Sequence, residues 1–191
     1  STARCTTTSN YAPNSPVRWS QKYKLLKRGY CIDSWDFQIR DEFTPEFELG
    51  SAQMIDEHKT PFGVFFGDNT GYAAACDQLA EMLRAFDGKD EAAEWSKRAK
   101  GLRDRLTKAT WRDGYFRHWL PEGEPAKRDL GVDEDKQISF SNCYSVNRGI
   151  SHYQLKAIVK TYQTLRNHLP EGSSGEWYAI YPPFQRGFGD D

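Results

Sequence analysis

The sequence lacks the features that mark membrane-spanning, disulfide-rich and nucleic-acid-binding proteins. No stretch approaches the roughly 18 consecutive apolar residues of a membrane helix. The net charge of −1 gives no bulk attraction to nucleic acid or to an anionic membrane. The four cysteines among 191 residues form no C-x-x-C pair, so neither a dense disulfide framework nor a zinc cage is expected.

Cofactor and targeting signals are also missing. There is no Gly-rich phosphate loop, and the four histidines show no metal-ligand spacing, so we expect no metal and no cofactor. The first residues carry no apolar stretch of the signal-peptide kind. Lone cysteines are typical of reduced thiols, which favours a cytoplasmic location, although a mature secreted protein would also have lost its signal.

Aromatic side chains are abundant: they make up 14% of the chain, with six Trp, ten Tyr and eleven Phe. Such rings supply core area, and their flat faces and polar edges also suit sugar rings. The length predicts one domain. Residues 1–20, rich in Ser, Thr, Asn and Pro, predict an irregular arm, and residues 21–191 the domain itself.

Apolar periodicity predicts three long helices. Asp68-Asn69-Thr70 supplies helix-start residues, and apolar residues then recur every three or four positions as far as Asp87-Gly88. A second stripe runs from Ala92 to Ala109 after a short connection, which predicts an antiparallel hairpin. A third helix is expected over residues 152–168. Residues 60–67, an apolar run between breakers, predict a short buried strand or turn.

One hexapeptide resembles a known family. Trp35-Asp36-Phe37-Gln38-Ile39-Arg40 is similar to the W-D-F-x-x-R core of trehalases and related six-hairpin glycoside hydrolases. The pattern Trp111, Asp113, Gly114, Tyr115 after the second predicted helix resembles the same family. The resemblance implies an all-α fold, a whole or partial (α/α)6 toroid of helical hairpins with aromatic loops and few short strands. A full toroid has twelve helices, so the chain is expected to be a catalytic domain or a fragment whose partner is the remainder.

The departures from the trehalase pattern indicate a different specificity. Ser34 precedes Trp35 where the trehalase motif has Gly, and no Q-W-D-x-P-N-G-W segment is present. The resemblance still implies a glycoside hydrolase, one that acts with inversion on an α-linked glucoside or short oligosaccharide. The alternatives are a non-catalytic carbohydrate-binding toroid fragment and a helical interaction scaffold.

Glycoside hydrolysis needs two carboxyl groups, one protonated and one ionised. The resemblance implies that Asp36 is the general acid, and that Arg40 contacts the substrate or the carboxylates. Rings on both sides of Asp36 would raise its pKa, as an acid requires, although capping or pairing with Arg40 would also explain it. The base is open: Glu176 is the best choice, Asp68 is the other candidate or a helix cap, and the family layout also permits a base beyond residue 191.

The predicted sugar-binding side chains are aromatic, amide, acidic and basic. They are Trp35, Phe37, Arg40, Asp68, Asn69, Trp111, Tyr115, Asn142, Arg148, Trp177 and Tyr178. Core packing would account for at least half of the aromatic members, and capping or turn formation explains Asn142 and Arg148 nearly as well. A carbohydrate is the only small-molecule partner expected.

Overall fold

The structure, a computed structural model, describes residues 18–29, 62–122, 131–169, 171 and 180–182. In chain order these residues form β1 (Arg28–Gly29), β2 (Phe62–Phe65), α1 (Phe66–Ala85), α2 (Lys89–Thr110), β3 (Trp111–Arg112), β4 (Tyr115–Phe116), β5 (Trp119–Pro121), a 3-10 turn (Glu134–Lys136), β6 (Ile138–Ser139), α3 (Ser141–Ser145), α4 (His152–Arg166) and β7 (Ile180–Tyr181).

α1 and α2 form the helical hairpin that the apolar periodicity predicts. α1 begins at Phe66, two residues before the predicted start, and its first turn has no side-chain cap. The turn between the helices places Asp87, not Gly88, in the left-handed conformation, with φ of 61°. The Gly88 N–H donates to the Leu83 carbonyl at 2.8 Å, which satisfies one of the free carbonyls at the end of α1.

The interface between these helices is built from small side chains. Ala73, Ala80, Ala92 and Ala99 are fully buried, and Cys76 is 2% exposed. Small residues allow the two backbones to approach closely, and larger apolar side chains fill the ends of the interface. We call the buried set Phe66, Ala73, Cys76, Ala99, Leu102 and Leu106 the hairpin core. Burying one Leu of this set contributes about 1.5–3 kcal/mol.

A three-stranded antiparallel sheet lies against the beginning of α1, with β2 between β1 and β5. Val64 pairs with Leu120 on the face that joins the hairpin core. Because side chains alternate along a strand, Gly63 and Phe65 lie on the opposite face. The predicted short strand within residues 60–67 is therefore confirmed as β2.

Two further elements follow along the chain. β3 and β4 pair as a small antiparallel hairpin at the Trp111, Asp113, Gly114, Tyr115 pattern. Gly114 there has φ of 105°, and a Cβ would lie 2.5 Å from Thr161 Oγ1, so only glycine fits this turn. The third predicted helix is α4, which begins with a capping box between Ser151 and Gln154.

The prediction of an all-α toroid, whole or partial, is wrong. The described residues combine four α-helices with seven short strands in three antiparallel sheets, a mixed helix and sheet architecture. The physical reason lies in the segments between the helices, which we expected to be aromatic loops. In the described part of the chain they pair by backbone hydrogen bonds, as β3 does with β4 and β6 with β7.

The predicted arm is described only over residues 18–20. Trp19 forms an isolated antiparallel bridge with Leu26, and Ser20 is fully buried. The Ser20 hydroxyl donates to Glu122 at 2.7 Å, which ties this segment to the end of β5.

Candidate functional site

The outer face of the sheet carries a group of charged and aromatic side chains at the start of α1. Antiparallel pairing sets Arg28 opposite Gly63 and Phe65 opposite Trp119. Asp68 follows in the first turn of α1, and His118 directly precedes β5. We call Arg28, Phe65, Asp68, His118 and Trp119 the sheet cluster.

Gly63 makes room for the Trp119 indole in this cluster. A Cβ at Gly63 would lie 2.0 Å from Trp119 Nε1 and 2.6 Å from the Leu120 carbonyl oxygen. The indole therefore lies directly against the β2 backbone, where only glycine leaves space. The Trp119 and Phe65 ring centroids are 6.1 Å apart, and both residues are nearly fully buried.

Asp68 is the acidic member of the cluster. Its Oδ2 lies 3.1 Å from Arg28 Nε, and the Arg28 guanidinium lies 4.4 Å from the Phe65 ring centroid. Burial raises the pKa of the Asp68 carboxyl, and the Arg28 charge partly offsets the rise. The side chain nevertheless keeps 40% of its surface exposed. Asp68 is thus a carboxyl group that solvent reaches, with a raised pKa and one cation beside it.

His118 is the most strongly perturbed group. Its pKa is lowered to about 4, mainly by burial and in part by the charges of Arg117 and Arg28. The Gln137 side chain raises the pKa and so offsets part of this effect. The imidazole is therefore neutral at physiological pH. Its Nε2 has no hydrogen-bond partner among the described residues, and neither has Oε1 of the fully buried Gln137. Its ring lies 6.3 Å from Phe65 in an edge arrangement.

Seven of the predicted site residues lie outside the described part of the chain. They are the predicted acid Asp36, its neighbours Trp35, Phe37 and Arg40, the predicted base Glu176, and Trp177 and Tyr178. The other six, Asp68, Asn69, Trp111, Tyr115, Asn142 and Arg148, are described.

Two predicted sugar-binding amides have structural partners. Asn69 is fully buried, accepts from the Leu26 N–H at 2.8 Å and donates to the Phe65 carbonyl at 2.8 Å. Asn142 is also fully buried and exchanges two hydrogen bonds with the Phe116 backbone, at 2.8 and 2.9 Å. Each amide thus forms the hydrogen bonds that a neighbouring strand would otherwise form with the backbone. Its polar atoms are therefore already bonded within the protein.

The remaining predicted residues join neighbouring loops and helices. Arg148 donates to the Gly67 carbonyl at 3.3 Å and stacks on Tyr144, with 5.2 Å from its Cζ to the ring centroid. Tyr115 donates to the Asp135 carbonyl at 2.9 Å. Trp111 lies edge-on to Phe116, with ring centroids 4.7 Å apart. Of the six, Asp68 alone belongs to the sheet cluster.

The sequence analysis missed Arg28, Phe65, His118 and Trp119. His118 and Trp119 closely follow the Trp111, Asp113, Gly114, Tyr115 pattern, which is the sequence signal nearest to them. Arg28 carries no local sequence pattern that singled it out. Their meeting depends on the pairing of β1, β2 and β5, which joins distant parts of the chain.

Metal and membrane features are absent from the part of the chain that the structure describes. Within residues 18–29, 62–122 and 131–169 no group of three or more His, Cys, Asp or Glu side chains could hold a metal ion. None of the described helices has the length and apolar character needed to cross a bilayer.

No model of a known protein family matches the chain, and no curated protein or solved structure matches it either. The chemistry of the site therefore follows from its own atoms. These are a carboxylate that water can reach, an arginine, two buried aromatic rings and a neutral imidazole.

Proposed function

We propose that this protein is a glycoside hydrolase in which the Asp68 carboxylate activates the attacking water. The observation that carries the proposal is the state of Asp68: a carboxyl group with a raised pKa, accessible to solvent and paired with Arg28 at 3.1 Å. Asp68 replaces Glu176 as the favoured base, because its surroundings are described and suit the task.

Arg28 and burial act on Asp68 in opposite ways. The arginine favours the ionised form, which is the form that accepts a proton. Burial raises the pKa, so that the ionised group is a stronger base than a free aspartate. The exposed part of the side chain gives water a path to the carboxylate.

Phe65 and Trp119 belong to the buried part of the sheet cluster. Phe65 is 6% exposed and Trp119 4%, so neither ring offers a free face for sugar stacking. Phe65 instead packs against His118, whose pKa burial lowers, and under the Arg28 guanidinium that pairs with Asp68.

The reaction needs one further carboxyl group, and the W-D-F-x-x-R resemblance proposes Asp36. Asp36 gives its proton to the glycosidic oxygen as the bond to the anomeric carbon breaks. Asp68 takes a proton from water, whose oxygen forms the new bond to that carbon from the opposite face. The products are the free sugar, inverted at the anomeric carbon, and the released alcohol. Inversion requires about 6.5–9.5 Å between the two carboxyl groups.

The decisive experiment measures sugar release from a panel of α- and β-linked disaccharides and aryl glycosides. We expect Asp68→Asn to lower turnover by about 10²–10⁴-fold, the usual contribution of a general base. Asp90→Asn is the matched control: it makes the same change in the first turn of α2, at an exposed position, and should leave turnover unchanged.

Azide separates loss of the base from loss of the fold. In Asp68→Ala a small anion can enter the space of the lost carboxylate and attack the anomeric carbon, so azide should restore turnover and yield a glycosyl azide. Asp36→Asn with an unactivated substrate should show no such rescue. Full turnover in Asp68→Asn would exclude Asp68 as the base, and saccharide binding by the wild type without turnover would favour a carbohydrate-binding protein.

A further inference from the structure

A second site lies on the other side of the hairpin core, away from the sheet cluster. A cavity of about 690 Å³ separates the second half of α2 from residues 149–154, where α4 begins. Its volume falls within the roughly 300–1,000 Å³ that is common for small-ligand sites. No residue of the sheet cluster lines it.

Aromatic rings form the apolar side of this cavity. Phe66 and Phe116, stacked with centroids 4.2 Å apart, lie at its floor. Trp111 and Tyr153 stand at its edge, with ring centroids 6.2 Å apart and planes at 61°. Tyr153 is 66% exposed, so most of its surface remains open to solvent beside the contact with Trp111.

The Thr107 hydroxyl belongs to the polar side, and the charges around the cavity are already paired. Ser151 also lines the cavity, but its hydroxyl is occupied by the capping box with Gln154, whose side-chain amide lies 3.5 Å from Thr107 Oγ1. Arg103 forms an ion pair with Asp77 and donates to the Arg148 carbonyl at 3.0 Å.

The exposed Lys100, which also lines the cavity, is paired as well: its Nζ lies 2.6 Å from Asp104 Oδ2. With these charges matched, the lining selects a neutral ligand with an apolar face and a hydroxyl-bearing edge.

We propose that this cavity binds a neutral saccharide, with a pyranose ring stacked on Tyr153 and one of its hydroxyl groups bonded to Thr107. The site is non-catalytic, since no unpaired carboxyl group lines it. A pyranose has the required apolar face and polar rim. The choice of a saccharide among neutral ligands rests on the proposed function, whereas the cavity and its lining do not.

Fluorine NMR of the full chain labelled with fluorotryptophan tests the site directly. Trp111 reports from the cavity wall, and Trp111→Phe assigns its resonance. Maltotriose is the probe, and the Asp68→Asn chain keeps it intact during titration. We expect a saturable shift of the Trp111 resonance at millimolar maltotriose.

Two variants test the lining. Tyr153→Ala should weaken the maltotriose affinity reported by Trp111 about tenfold, the effect of losing one stacked ring. Thr107→Val, which removes the hydroxyl with little change of shape, should weaken it less. Tyr144→Ala is the matched control, because Tyr144 is 50% exposed and does not line the cavity.

A silent Trp111 resonance, or an unchanged affinity in Tyr153→Ala, would overturn the saccharide site. These results are independent of turnover. Sugar release without a Trp111 response would refute the cavity proposal alone, and a Trp111 response without sugar release would refute the hydrolase alone.

Discussion

Phe65 and Phe66 are neighbours in the chain and belong to two different environments. Phe66 stacks on Phe116 in the hairpin core, among side chains that carry no charge. Phe65 lies under the Arg28 guanidinium, which pairs with Asp68, and beside His118. The hairpin core and the sheet cluster thus begin at the same strand end and face opposite ways.

The hairpin core stabilises the fold, whereas the sheet cluster holds groups that destabilise it. In the hairpin core every buried side chain gains from leaving water. In the sheet cluster burial lowers the pKa of His118 and raises the pKa of Asp68, so both groups resist ionisation. The buried His118 Nε2 also has no hydrogen-bond partner among the described residues. Such groups cost stability and are expected where a site needs them. The hairpin core therefore offsets the cost of the sheet cluster.

The largest effect is expected from damage to the hairpin core. Leu102 is fully buried on α2, and Leu102→Ala should lower the free energy of unfolding by about 2–5 kcal/mol, because it leaves a cavity between packed helices. Urea unfolding measures the change. Met82→Ala is the control, since Met82 is 60% exposed and its truncation should cost no more than about 0.5 kcal/mol. Equal losses in the two variants would show that the hairpin core is not the main source of stability.

The next effect belongs to the sheet cluster and depends on pH. The folded-state pKa of His118 is about 4, below the 6.5 of a free imidazole, so the unfolded chain binds the proton first as the pH falls. This group should therefore cost about 3 kcal/mol of stability between pH 6.5 and pH 4. Asp68 has a raised pKa, so the folded chain binds this proton before the unfolded chain does as the pH falls. Its protonation therefore adds to the stability of the fold in the acid range.

Urea unfolding at pH 7 and pH 4.5 isolates the histidine. His118→Gln should lose markedly less stability over this interval than the wild type, whatever its stability at pH 7. His152→Gln, at an exposed position on α4, should keep the wild-type dependence. A wild-type slope in His118→Gln would mean that another group controls the acid sensitivity.

The helices could be predicted from the sequence because their signal is local. Apolar residues at helical spacing identify α1, α2 and α4 within two or three residues of their ends. Strands of two residues, such as β3, are too short to show a period of two, and they exist through pairing with a partner elsewhere in the chain. This is why the aromatic segments suggested loops, and why the all-α prediction is wrong.

The site could be predicted only in part, for a related reason. Asp68 follows an apolar run and lies at the start of a predicted helix, a context visible in the sequence. Arg28 and His118 join it only through the sheet order β1-β2-β5, which no local pattern reveals. Asn69 and Asn142 illustrate the opposite error: an amide that bonds the backbone and an amide that bonds a sugar look the same in sequence, and burial alone distinguishes them.

The smallest change sharpens the comparison without disturbing the fold. Arg28→Met removes the cation beside Asp68 and its contact with the Phe65 ring, at a cost of less than about 1 kcal/mol of stability. Burial would then act on Asp68 unopposed, so its pKa should rise further. A base must be ionised, so the acid limb of the pH–rate profile should move to higher pH. Arg28→Lys keeps the charge and should leave the limb in place; a limb that stays fixed in Arg28→Met would show that Asp68 does not control the rate.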